Sequence, residues 1–169
     1  PGSRSWPARP GAAGGKATIE KTDDGLILKA GDRFARFDAA SGLLAQYGRG
    51  DQAMLLGAAE CFTRPYSGLD YHIGIGSRPL WDRLFAMERE LCSFDTSMDG
   101  DCARIRTRSV MCRDDGFGVT TELCYGLYGD GTLALDMAFD VDGALLHIPR
   151  AGIELIAAEG LDNLRFYGR

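Results

Sequence analysis

One stretch of the sequence gathers side chains that could grip a polar ligand: Arg64, Tyr66, Asp70, Tyr71 and His72, followed by Trp81. Residues 63–80 read TRPYSGLDYHIGIGSRPL, with proline, glycine and aromatics but no regular period. That pattern predicts a long ordered loop, and such loops commonly carry function. Asp70 can accept hydrogen bonds from ligand hydroxyls, or it can pin its own turn by bonding nearby backbone. The rings of Tyr66 and Tyr71 offer flat apolar faces to ligand C–H groups. His72 could carry a proton, but a lone loop histidine usually serves as a local hydrogen-bonder. These four are the candidate ligand contacts. Trp81 heads an amphipathic segment and fits core packing better.

Other constellations fail on spacing. Asp136, Asp140 and Asp142 lack the loop length and closing glutamate of a calcium hand, and read as a solvated hairpin face. Gly74-Ile75-Gly76 has no third glycine and no strand-to-helix context, so it is not a phosphate loop. Cys61, Cys92, Cys102, Cys112 and Cys124 form no CxxC pair, which argues against a zinc cluster. Their odd count argues against a fully disulfide-bonded scaffold, and points to a reducing compartment such as the cytoplasm. No cofactor or metal is expected.

Composition narrows the partners. The chain has 169 residues, with 19 Lys and Arg against 24 Asp and Glu, a formal charge of -5. An acidic balance suits neither DNA nor RNA backbones. No apolar run is long enough to predict a membrane-spanning helix.

Residues 1–15, PGSRSWPARPGAAGG, read as a linker or an expression remnant, and 16–169 as part of one domain. From Lys16 onward short strands alternate with turns. Residues 17–20 and 25–30 flank Asp23-Asp24; residues 32–37 alternate polar and apolar; residues 43–47 follow Ser41-Gly42; and Met54-Leu55-Leu56 adds another strand. Leu80–Leu91 predicts a short helix, since Trp81, Leu84, Phe85, Glu88 and Leu91 recur at spacings of three and four. Strands return over 103–110, 119–125, 132–139 and 151–157, with Gly129-Asp130-Gly131 as a hairpin turn. Leu164–Tyr167 begins one more, so the domain is expected to be incomplete at its C-terminal end. The expected fold is all-β, an antiparallel β-sandwich with one short helix after the 63–80 loop.

Three stretches in order resemble the C-terminal β-domain, the small-chain region, of family 2 β-galactosidases. They are Phe37-Asp38-Ala39-Ala40-Ser41-Gly42-Leu43-Leu44; then Phe62-Thr63-Arg64, Leu69–Gly74 and Trp81; then Ile148-Pro149-Arg150-Ala151-Gly152 and Leu164–Arg169. The resemblance covers roughly residues 16–169 and implies a galactose-mutarotase-like supersandwich. It implies a parent enzyme that hydrolyses terminal β-galactosides with carboxylates on an upstream barrel domain. This chain would then be non-catalytic, with a β-galactoside reached only through the parent, the barrel as its neighbour, and a homo-oligomer as a further partner. Glu154 and Glu159 flank a strand as solvated positions, not as the carboxylate pair, about 5–5.5 Å apart, of a retaining glycosidase. The family's D-N-D loop, near the active-site mouth, reads Asp70-Tyr71-His72 here, so substrate preference is open to change. Arg64 and Arg150 stand where the family has arginine, and fit structural roles locking loops. The competing readings are a carbohydrate-binding sandwich module and a structural sandwich mediating oligomer contacts.

Overall fold

The computed structural model describes residues 15–68, 82, 84–112, 118–141 and 148–161. Among them run ten strands: β1 (Thr18–Thr22), β2 (Gly25–Ala30), β3 (Arg33–Asp38), β4 (Leu44–Arg49), β5 (Gln52–Cys61), β6 (Glu88–Asp99), β7 (Cys102–Cys112), β8 (Gly118–Leu127), β9 (Leu133–Val141) and β10 (Gly152–Ala157). Two antiparallel sheets result, one ordered β1-β2-β3-β4-β5-β10 and the other β6-β7-β8-β9. The expected antiparallel sandwich is the observed architecture.

Alternation explains the packing. Leu26 and Leu28 of β2 stand opposite Phe37 and Ala35 of β3, and all four side chains are buried. They meet Ala103, Ile105, Leu123, Tyr125 and Leu127 of the second sheet in one core. The Phe37 and Tyr125 rings join the sheets edge to face, with centroids 4.9 Å apart. Burying each large side chain contributes about 1.5–3 kcal/mol. A second cluster, built on Phe62, Leu84 and Val119, lies where the connection after β5 packs back on the sandwich.

Turn chemistry sets the register. Between β3 and β4, Asp38 accepts hydrogen bonds from the Ser41 amide (2.7 Å) and hydroxyl (2.6 Å). Those bonds hold the Asp38 carboxyl below its usual pKa. Gly42 follows at φ 68°, where a Cβ would sit 2.7 Å from a Leu91 methyl. Only glycine satisfies both the left-handed backbone and that close approach. The Gly129-Asp130-Gly131 hairpin forms as expected, with the Tyr128 amide donating to Thr132 (3.0 Å).

One expectation needs correction and another extension. The helix predicted to reach Leu91 stops earlier: Asp82, Leu84 and Phe85 are helical, but Glu88–Leu91 open β6. There Arg89 and Leu91 are half-buried while Glu88 and Glu90 are exposed, and the segment pairs with β7 from Glu88↔Cys112 onward. Long-range pairing overrides a local spacing that suits a helix equally well. The strand expected over Met54–Leu56 is the middle of ten-residue β5, held between β4 and β10. Residues 1–14 of the expected linker and the strand-like Leu164–Tyr167 lie outside the described residues.

Candidate functional site

The connection from β5 to β6 carries the residues singled out above, and its stems are built in detail. Phe62 is buried, with its ring 5.4 Å from that of Phe139. This anchors the departing chain. Arg64, half-buried, donates from Nε to the Pro149 carbonyl (3.3 Å) and from a terminal nitrogen to the Pro65 carbonyl (3.2 Å). It thereby ties the segment after β5 to the segment before β10. The Tyr66 hydroxyl donates to Asp82 Oδ1 at 2.6 Å, and its ring lies 6.2 Å from that of the exposed Phe85. Arg64 and Tyr66 are thus brought beside Pro149, Asp82 and Phe85. Arg150 is exposed. Asp70, Tyr71, His72 and Trp81 lie outside the described residues.

Beneath these stems sits a buried ion pair that the sequence reading missed. Arg89 Nε donates to Glu60 Oε1 at 2.8 Å, and Ser109 Oγ donates to the same oxygen at 2.7 Å. Arg89 also donates to the Ser41 carbonyl in the β3–β4 turn. The Glu60 side chain is 1% exposed and that of Arg89 17%. Glu60 lies near the end of β5 and Arg89 near the start of β6. The pair therefore clasps both stems of the connection and joins the two sheets. Its second carboxylate oxygen, and the hydroxyls of Thr107, Thr121 and Tyr125, have no hydrogen-bond partner among the described residues. Burial, with Glu60 nearby, pushes the Tyr125 phenol up to about 12. The only sequence signal was a glutamate closing the small, apolar stretch Gly57-Ala58-Ala59, with its partner 29 positions away.

The remaining charged candidates are solvated. Glu154, Glu159, Asp136 and Asp140 are all exposed, and Asp142 lies outside the described residues. Among the described residues no three His, Cys, Asp or Glu side chains converge as a metal site. The five cysteines are free thiols.

A family model described as beta galactosidase small chain matches residues 29–169. The match starts inside β2, so β1 precedes it. No curated protein matches the chain.

Proposed function

The chain belongs to the β-galactosidase small-chain family, and from that premise we propose that it is a non-catalytic C-terminal β-sandwich whose parent enzyme hydrolyses terminal β-galactosides. In this reading the connection after Phe62 reaches the rim of an active site carried by an upstream barrel domain, and Asp70, Tyr71, His72 and Tyr66 contact the sugar there. The family match over most of the chain is the observation that carries the reading. The geometry of the connection supports it: a loop that must present side chains to a neighbouring domain needs fixed stems, and the Glu60–Arg89 pair and the Arg64–Pro149 bond supply them. The one carboxylate that is buried among the described residues, Glu60, is engaged by Arg89 and Ser109, which suits a structural role better than attack on a sugar. Five free thiols support a cytoplasmic location. Assembly of the parent as a homo-oligomer belongs to the same proposal.

Hydrolysis of a nitrophenyl β-galactoside tests it, with this chain and the full-length parent assayed side by side. Turnover by the parent alone is the expected result. Turnover by the chain itself, or a parent inactive on β-galactosides, would overturn the reading.

A further inference from the structure

The six-stranded sheet ends on β10, which among the described residues pairs on one side only, with β5. Register places Ile153 opposite Glu60 and Leu155 opposite Ala58, both of which face the interior of the sandwich. Ile153 packs against the core, yet Leu155 is 56% exposed. Glu154 and Ile156 stand on the outer face, opposite Ala59 and Gly57, and Ile156 is 57% exposed. The edge thus shows aliphatic side chains on both faces. A hydrophobic edge strand is a template for another strand, and natural edges are commonly blunted by lysine or proline. β10, Gly-Ile-Glu-Leu-Ile-Ala, contains neither.

The chain begins to turn back as it leaves β10. The Ala158 amide donates to the Met54 carbonyl (2.9 Å), so pairing with β5 holds to the end of the strand. Glu159 and Gly160 then form a turn, with Gly160 at φ 84°, a left-handed backbone that suits glycine. Residues 162–169 lie outside the described residues. Their sequence opens Asp162-Asn163-Leu164-Arg165-Phe166-Tyr167, in which polar and apolar residues alternate from Asn163 to Phe166, the period of a half-buried strand.

The two segments match in one register. With Ala158–Leu161 as a four-residue hairpin loop, Leu155 stands opposite Leu164, Glu154 opposite Arg165, and Ile153 opposite Phe166. Residues directly opposite in an antiparallel pair share a face. Leu164 and Phe166 would therefore join Leu155 and Ile153 on the core side, and Arg165 would meet Glu154 on the outer side. A slip of one residue in either direction sets Leu155 against a polar residue and Glu154 against an apolar one. A slip of two keeps the faces but separates Glu154 from Arg165.

We propose that residues 162–167 form the next strand of the six-stranded sheet, paired on the open edge of β10 in this register. The strand would cover Leu155 and occupy the edge that a second copy of the chain could otherwise use. The proposal does not rest on the function proposed above.

The test is NMR of the 169-residue chain, combining cross-strand NOEs with amide hydrogen exchange. Expected are NOEs joining Leu155 to Leu164 and Ile153 to Phe166, and protection of the β10 amides that does not change with protein concentration. Glu154→Lys should lower that protection by about two- to fivefold. The swap Glu154→Lys/Arg165→Glu should restore it, and Glu159→Lys, in the turn, should leave it unchanged. NOEs in another register, no NOEs between the two segments, or a swap no better protected than Glu154→Lys would each overturn the proposal. So would contacts seen only between copies in a mixed-label sample, with protection rising with concentration, which would assign the edge to a second copy. None of these readouts involves hydrolysis, so failure here is distinct from failure of the β-galactosidase reading.

Discussion

Replacing Arg89 by methionine should destabilise the chain severely, and the reason lies in what it leaves behind. The Glu60 side chain is 1% exposed, so its carboxylate depends on protein donors. After Arg89→Met only Ser109 remains to donate to Oε1, and the Ser41 carbonyl loses its donor. Removing one partner of a buried ion pair typically costs about 3–5 kcal/mol. Arg89 is 17% exposed, so some water reaches the pair and the lower end, about 3 kcal/mol, applies. For a chain of this size that corresponds to a Tm lower by about 6–12 °C. Urea unfolding followed by far-UV circular dichroism measures it. The double variant Glu60→Leu/Arg89→Met separates an unpaired charge from lost packing, because apolar replacement of both partners is often neutral. It should recover most of the loss. A single variant within about 1 kcal/mol of wild type would refute the reasoning, as would a double variant no more stable than the single.

Two other positions give independent checks. Gly42→Ala combines a left-handed backbone cost of about 1–2 kcal/mol with about 1–3 kcal/mol from crowding Leu91 and Thr107. Gly31→Ala, at φ 59° with open space around it, should show only the backbone cost, so equal urea midpoints for the two variants would contradict the close approach. Tyr125 keeps its proton to about pH 12 in the folded chain, against about 10 when unfolded. The stabilisation tied to its neutral form is therefore complete below pH 10 and is lost as pH rises to 12, about 2–3 kcal/mol in all. In an ultraviolet titration, Tyr125→Phe should leave the absorbance gained by pH 10.5 unchanged, and a smaller gain would show that Tyr125 ionises at the ordinary phenol value, about 10.

What the sequence revealed follows the range of the forces involved. β2 was read at its observed bounds, and the β8–β9 hairpin was placed by Gly129-Asp130-Gly131, because alternation and turn chemistry are local. The Asp38-Ser41-Gly42 turn is equally local, and its side-chain bonds appear where the motif puts them. β6 was misread at its start because Leu84, Phe85, Glu88 and Leu91 satisfy a helical spacing, and only β7, its partner, decides otherwise. Much of β5 was missed for a related reason. Gly57, Ala58 and Ala59 carry little strand signal of their own, and they are extended because β4 and β10 flank them.

The same distinction accounts for the residues of the connection. Arg64 and Tyr66 were legible because they sit inside a stretch of unusual composition. Glu60 and Arg89 were not, since each stands in an ordinary strand and their meaning comes only from meeting across the sheets. Their placement solves a definite problem. Closing a long loop costs entropy that grows only slowly with length, so the chain can lengthen this connection at little extra cost. Added length, however, does nothing to fix where the loop begins and ends. Fixed ends require strong contacts at the stems, and a buried pair joining the close of β5 to the start of β6, with a third bond to the Ser41 turn, provides them. Glu60 and Arg89 are therefore positioning residues for the connection, and they fix its stems independently of the residues that lie between them.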